Sequence, residues 1–138
     1  MRILIVGGTR FIGVYLTKIL AERGHEVVLF NRGNKPVPVP GIKQINGDRS
    51  DASQLKEKLA SENFDAIFDN NGRKLSDTKP LAEIFKDKVQ HFIYTSSAGV
   101  YLKSDLLPHV EGDAVDPNSR HLGKYETEIE LEKQGLPW

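Results

Sequence analysis

The chain has 138 residues, 38% of them hydrophobic and 28% charged, which suits one globular domain with a real core and is too short for two. Its 19 basic and 19 acidic side chains cancel, so the total offers no strongly basic nucleic-acid surface and leaves only a local patch open. The absence of cysteine excludes disulfides and thiolate metal sites, and no apolar run approaches the ~20 residues of a membrane span.

Arg2 to Val6 reads as a buried parallel strand, because Ile3-Leu4-Ile5-Val6 is an uninterrupted apolar run. It begins directly after Met1, so no signal or transit peptide is expected and a cytoplasmic protein is the default. The turn Gly7-Gly8-Thr9-Arg10-Phe11-Ile12-Gly13 follows. Ile12, Leu16, Ile19 and Leu20 then fall on one face of a helix that Gly24 ends. Glu26 to Phe30 is the second strand, and Asn31 to Gly41, with its prolines and glycines, is loop. A short third strand lies around Ile42 to Ile45. Asp51 to Ala60 is a helix, with Ser50 or Asp51 as cap and Leu55 and Leu59 facing inward. Ala66 to Asp69 is a fourth strand. Leu81, Ile84 and Phe85 mark a helix starting near Ser76 or Asp77, and Phe92 to Thr95 is a fifth strand. Leu102 to Asn118 is an ordered loop, and Ser119 to Gln134 a last helix stopped by Gly135 and Pro137.

Strands alternating with helices predict an α/β fold, a Rossmann-like doubly wound parallel sheet of order 3-2-1-4-5 in three α/β/α layers. This architecture places another strand after the last helix. Residues 1–138 are therefore expected to be the N-terminal part of a longer protein, a nucleotide-binding domain without its substrate domain.

A strand, a glycine-rich turn and a helix form an anion site, since free backbone N–H groups and the helix dipole face the phosphate. Gly7, Thr9, Phe11, Ile12 and Gly13 supply that turn, and the context of strand before and helix after makes the signal strong. Arg10 stands where a glycine normally lies against the dinucleotide, and either crowds the cofactor or adds a guanidinium to its phosphates. Asn31 and Arg32 end the second strand where an acidic residue would bind the ribose of NAD, and an arginine there favours the extra phosphate of NADP. Asp48 and Arg49 are placed to hydrogen-bond an adenine. Asn70, Asn71 and Gly72 close the fourth strand at the ligand crevice.

Together, Gly7 to Gly13, Gly47-Asp48-Arg49 and Thr95-Ser96-Ser97-Ala98-Gly99-Val100-Tyr101 resemble the extended short-chain dehydrogenases/reductases of the NAD-dependent epimerase/dehydratase superfamily. That resemblance implies a Ser or Thr with a Tyr-x-x-x-Lys helix motif, in which lysine lowers the tyrosine pKa and tyrosine transfers the proton. Ser97 matches the serine and Lys124 the lysine, but Arg120 stands in the tyrosine's place. Tyr125 points about 100° away around the helix and is expected in the core. The usual dehydrogenase or epimerase turnover is therefore not expected.

A narrower resemblance fits these departures. The run Ser96 to His109, then Asp113 to Pro117, Ser119-Arg120-His121, Gly123-Lys124, Arg10 and Phe30-Asn31-Arg32-Gly33 are similar to plastid stem-loop-binding proteins and their cyanobacterial relatives. The resemblance runs from Met1 to Trp138 and implies binding of messenger and ribosomal RNA, a retained or vestigial NAD or NADP site, and endoribonuclease activity helped by a divalent metal such as Mg2+. It also implies a cyanobacterial cytoplasm, or the plastid stroma for a processed plant protein. Homo-oligomers would pair through the helices near Leu81 to Phe85 and Ser119 to Gln134. The alternative is an NADP-dependent nucleotide-sugar epimerase, dehydratase or reductase with another proton donor.

Arg10, Arg32, Arg49, Arg73, Lys74, Arg120 and Lys124 all follow strand ends or lie in the last helix, and could line one phosphate-facing edge. The aromatic residues read mostly as core, which favours hairpin shape over base reading. For cleavage, His121 and His109 are the acid–base candidates. Asp48, Asp69, Asp113 and Asp116 match no metal motif, so no metal ligand set is expected.

Overall fold

The computed structural model describes residues 1–105 and 107–138. Leu106, inside the Ser96–His109 run, lies outside the described residues. The elements are β1 (Arg2–Val6), α1 (Ile12–Glu22), β2 (Glu26–Asn31), β3 (Lys43–Asn46), α2 (Ala52–Leu59), β4 (Ala66–Asp69), α3 (Leu75–Phe85), β5 (His91–Tyr94) and α4 (Leu122–Lys133), with a 3-10 turn at Ala98–Val100. The five strands form one parallel sheet in the order β3-β2-β1-β4-β5, as the alternation predicted. Register aligns their carboxyl ends: Val6 stands between Phe30 and Asp69, and Asp69 faces Tyr94. Every loop that leaves those ends therefore opens on one edge.

The two sheet faces bury different sets. On one, Leu4, Val6, Val28, Phe30, Ile67 and Phe92 pack with Leu55 and Leu59 of α2, Leu81, Ala82 and Phe85 of α3, and Leu131 of α4. On the other, Ile3, Ile5, Val27, Leu29 and Ala66 meet α1 through Leu16 and Leu20. This double covering is what a parallel sheet of uninterrupted apolar strands demands. α2 starts as expected, with Asp51 accepting from the backbone N–H of Ser53 and Gln54 at 3.0 and 3.1 Å.

Three local expectations differ. The buried residues of α1 are Gly13, Thr17 and Leu20, while Ile12 and Ile19 are exposed. The helix turns its small residues inward because it crosses the glycine loop at backbone contact; a Cβ on Gly13 would stand 2.1 Å from Gly7 O. The last helix begins at Leu122 instead of Ser119. Ser119 is held elsewhere, its hydroxyl donating to Gly99 O at 2.6 Å and accepting from His121 N at 3.0 Å, which ties residues 119–121 to the 3-10 turn. Tyr125 is only partly buried, since α4 places Thr127 and Leu131 inward.

Candidate functional site

The glycine loop runs from the end of β1 into α1. Gly7 adopts φ +94°, a conformation that L side chains rarely take, and its Cα faces the Asn71 side chain. Among the described residues, the backbone N–H groups of Thr9, Arg10, Phe11 and Ile12 have no protein acceptor, which leaves the donors an anion needs. Thr9 is half-buried at the loop and the Arg10 side chain is exposed. Phe11 precedes α1 at φ 47° and is 85% exposed.

Along the same edge, Asn31 closes β2, accepting from Gly33 N at 2.9 Å and donating to Gln44 at 3.2 Å. Arg32 is exposed. Asp48 accepts from the N–H and hydroxyl of Ser50 at 2.9 and 2.6 Å; these bonds, with the charges of Arg32 and Arg49, hold its carboxyl below the usual range. Asn70 accepts from the Thr95 hydroxyl at 3.3 Å. Asn70 Nδ2 and Ser96 Oγ, at the ends of β4 and β5, are buried without a hydrogen-bond partner. Unpaired donors at that depth are costly unless something else engages them.

Two residues expected to face the ligand are turned inward. Arg49 ion-pairs with fully buried Asp69, donating to both carboxylate oxygens, and donates to Asp77 O at 2.7 Å. It also donates to Asn71 Oδ1, and the Thr78 hydroxyl donates to Asp69 at 2.7 Å. Burial opposes the charge on Arg49, but the Asp69 hydrogen bond and charge outweigh it and raise its pKa. Its guanidinium thus braces the crevice floor and is not presented to an adenine. Gly72 is packed among Thr78, Asp69 and Tyr94, where a Cβ would stand 2.3 Å from Thr78 Oγ1, and its N–H donates to Asp69 at 3.0 Å.

The catalytic candidates, Ser97 and Lys124 from the proton-transfer motif and His121 from the cleavage reading, separate into two groups. Ser97 and His121 come together around Gly99: a Cβ there would stand 3.3 Å from Ser97 Oγ and 3.2 Å from His121 Nε2. Ser97 Oγ accepts from Gly99 N at 3.2 Å and lines an open cavity of about 440 Å³ with Ser96, Tyr101, His109, Glu128 and Trp138. His121 Nε2 accepts from Arg120 Nε at 2.9 Å. Lys124 lies apart, its ammonium donating to Gly72 O at 2.9 Å and to Thr95 O, above the Tyr94 ring. Burial lowers its pKa, and burial pushes the Tyr94 phenol up to about 12. Lys124 therefore clamps the ends of β4 and β5. Arg120 sits in the turn before α4, exposed.

Of the remaining candidates, His109 pairs with Asp113 at 3.0 Å and stacks on Tyr101, with ring centroids 5.3 Å apart. Among the described residues, no group of three or more His, Cys, Asp or Glu is placed to hold a metal ion, and no helix is long and apolar enough to cross a membrane. The exposure of Phe11 and Tyr15 escaped the periodicity reading; the signal was the glycine at 13, which turns the small-residue face of α1 inward.

Residues 3–127 match the NAD dependent epimerase/dehydratase family. The "Chloroplast stem-loop binding protein of 41 kDa b, chloroplastic" of Arabidopsis thaliana is 48% identical across 99% of this chain and 40% of its own length. A 2-alkyl-3-oxoalkanoate reductase of Stenotrophomonas maltophilia is 40% identical over 53% of the chain and 22% of its own length. Among solved structures, a UDP-galactose 4-epimerase superposes with TM-score 0.79 at 25% identity, covering 94% of this chain and 50% of that one. The chain thus spans half or less of the length of these relatives. The glycine loop, the sheet order and these matches agree: the chain belongs to the NAD-dependent epimerase/dehydratase family.

Proposed function

We propose that this chain is the N-terminal, RNA-recognising domain of a longer protein, and that it binds stem-loops of messenger RNA, with ribosomal RNA as a further target. The observation that carries this reading is the 48% identity, over nearly the whole chain, to a protein named for stem-loop binding. The site chemistry supports it. A crevice with free backbone donors, an exposed Arg10 and an exposed Arg32 suits phosphate and ribose whether they belong to a dinucleotide or to RNA. Arg120 in place of the tyrosine, and Lys124 occupied by two backbone carbonyls, remove the proton relay that a hydride-transfer enzyme of this family would use.

The residues also fit a dinucleotide. The 9–12 amides and Arg10 would hold its pyrophosphate, Asn31 and Arg32 its ribose or the extra phosphate of NADP, and Asp48 its adenine, with Asn70 Nδ2 and Ser96 Oγ free for the far end. When bound, it supplies a hydride acceptor or donor. In this reading it occupies the crevice as a competitor of RNA. Strand cleavage assisted by Mg2+ belongs to the longer protein, with Ser97 and His121 as the polar groups this domain contributes. The compartment is a cyanobacterial cytoplasm, or the plastid stroma for a processed plant protein. Fluorescence anisotropy of a labelled stem-loop at about 0.1 M salt, followed by excess NADP, tests the reading. Saturable binding that NADP reverses is the expected result; no binding by this chain or by the longer protein would overturn it.

The second reading is an NADP-dependent nucleotide-sugar epimerase, dehydratase or reductase. The family match over residues 3–127 and the open glycine loop favour it. Steady NADPH oxidation with a nucleotide sugar would put it first.

A further inference from the structure

We infer that the exposed face of α1 is a stacking track for unpaired nucleotides, so that the loop of a stem-loop RNA, not its duplex, is the part this domain grips. The inference rests on the RNA reading and adds to it which part of the RNA is recognised and by what.

Phe11 is 85% exposed and Tyr15 68% exposed, the two most exposed aromatic side chains among the described residues. Phe11 lies in the loop directly before α1, at φ 47° and ψ -130°, and Tyr15 in the first turn of the helix, so both rings project from the start of α1. Lys18 falls on the same face one turn beyond Tyr15, and Arg10 precedes Phe11. Among the described residues neither Arg10 nor Lys18 has an ion-pair partner. The start of α1 thus presents Arg10 and Phe11 from the loop and Tyr15 from the helix, with exposed Ile12 and Ile19 one turn to either side of Tyr15, Lys18 beside them and the carboxylate of Glu22 beyond.

That order of groups selects the occupant. Single-stranded nucleic acid is held by rings on which bases stack, with cations tracking the backbone between them. A duplex hides the faces of its bases and cannot use the rings. The track also begins at the glycine loop, so a strand whose phosphates meet Arg10 and the loop amides continues directly over Phe11 and Tyr15.

The test uses this chain, a labelled hairpin with an unpaired loop, and a blunt duplex of the same stem. The hairpin is expected to bind more tightly than the duplex. Tyr15→Ala is expected to weaken hairpin binding roughly 5- to 150-fold, the range for one stacked base, while Tyr15→Phe keeps it. A Tyr15→Trp variant is expected to lose emission on adding hairpin and to keep it on adding duplex. Hairpin binding unchanged in Tyr15→Ala, or equal affinity for duplex and hairpin, overturns the track and leaves the RNA reading standing. A wild-type chain that dimerises in sedimentation, and a Tyr15→Ala variant that does not, assigns the face to a second copy and overturns it as well. Failure of the wild type to bind either RNA removes both readings.

Discussion

At the scale of single residues, the crevice depends on Asp69. It is fully buried and receives hydrogen bonds from Arg49, Thr78 and Gly72, which are drawn from three separate loops or helices. A buried charge is tolerable only while its partner remains. Arg49→Met therefore leaves an uncompensated carboxylate, and urea unfolding is expected to show a loss of about 3–5 kcal/mol. The sequence placed Arg49 at the right edge and in the wrong direction. Nothing in Gly47-Asp48-Arg49 distinguishes an arginine facing solvent from one facing a carboxylate 20 positions later. The same limit applies to Lys124. Its match to the family lysine is a match of spacing, and its partner carbonyl on Gly72 lies 52 positions away.

At the scale of elements, two predictions concern how helices begin. α1 crosses the loop so closely that Gly13→Ala would drive a methyl carbon to 2.1 Å from Gly7 O. Backbone cannot yield as a flexible side chain can, so a loss of about 1–3 kcal/mol in thermal or urea unfolding is expected, together with weaker dinucleotide binding. α2 depends on Asp51, whose carboxyl is held below its ordinary pKa mainly by the N–H and side chain of Gln54 and the N–H of Ser53. A depressed carboxylate stabilises the fold above its unfolded pKa and loses that contribution as pH falls through the folded value. The melting-temperature gap between wild type and Asp51→Ala is thus expected to be present at pH 7 and to close below about pH 4. This cap was legible from sequence because it is a contact between near neighbours. The start of α4 was not, because Ser119 is claimed by Gly99, 20 residues earlier.

At the scale of the whole molecule, the aligned strand ends put the glycine loop, Asn31, Asp48, Asn70 and Ser96 on one edge. If RNA uses that edge, affinity is expected to fall log-linearly with salt, and Arg10→Ala to reduce the slope by about one phosphate contact. Returning the tyrosine alone is expected to leave the chain inactive: Arg120→Tyr, assayed for NADPH oxidation with nucleotide sugars, should show no turnover, since residue 120 lies in the turn before α4 and Lys124 is already engaged. Strand and helix identity, sheet order and the place of the glycine loop between β1 and α1 followed from the sequence by itself, because hydrophobic period, glycine spacing and caps are set within a few residues and parallel crossovers allow few topologies. The inward turn of Arg49 and the clamp made by Lys124 were decided only by tertiary structure. Each depends on which distant backbone or charge the fold brings within hydrogen-bond or van der Waals reach, and local spacing carries no record of that.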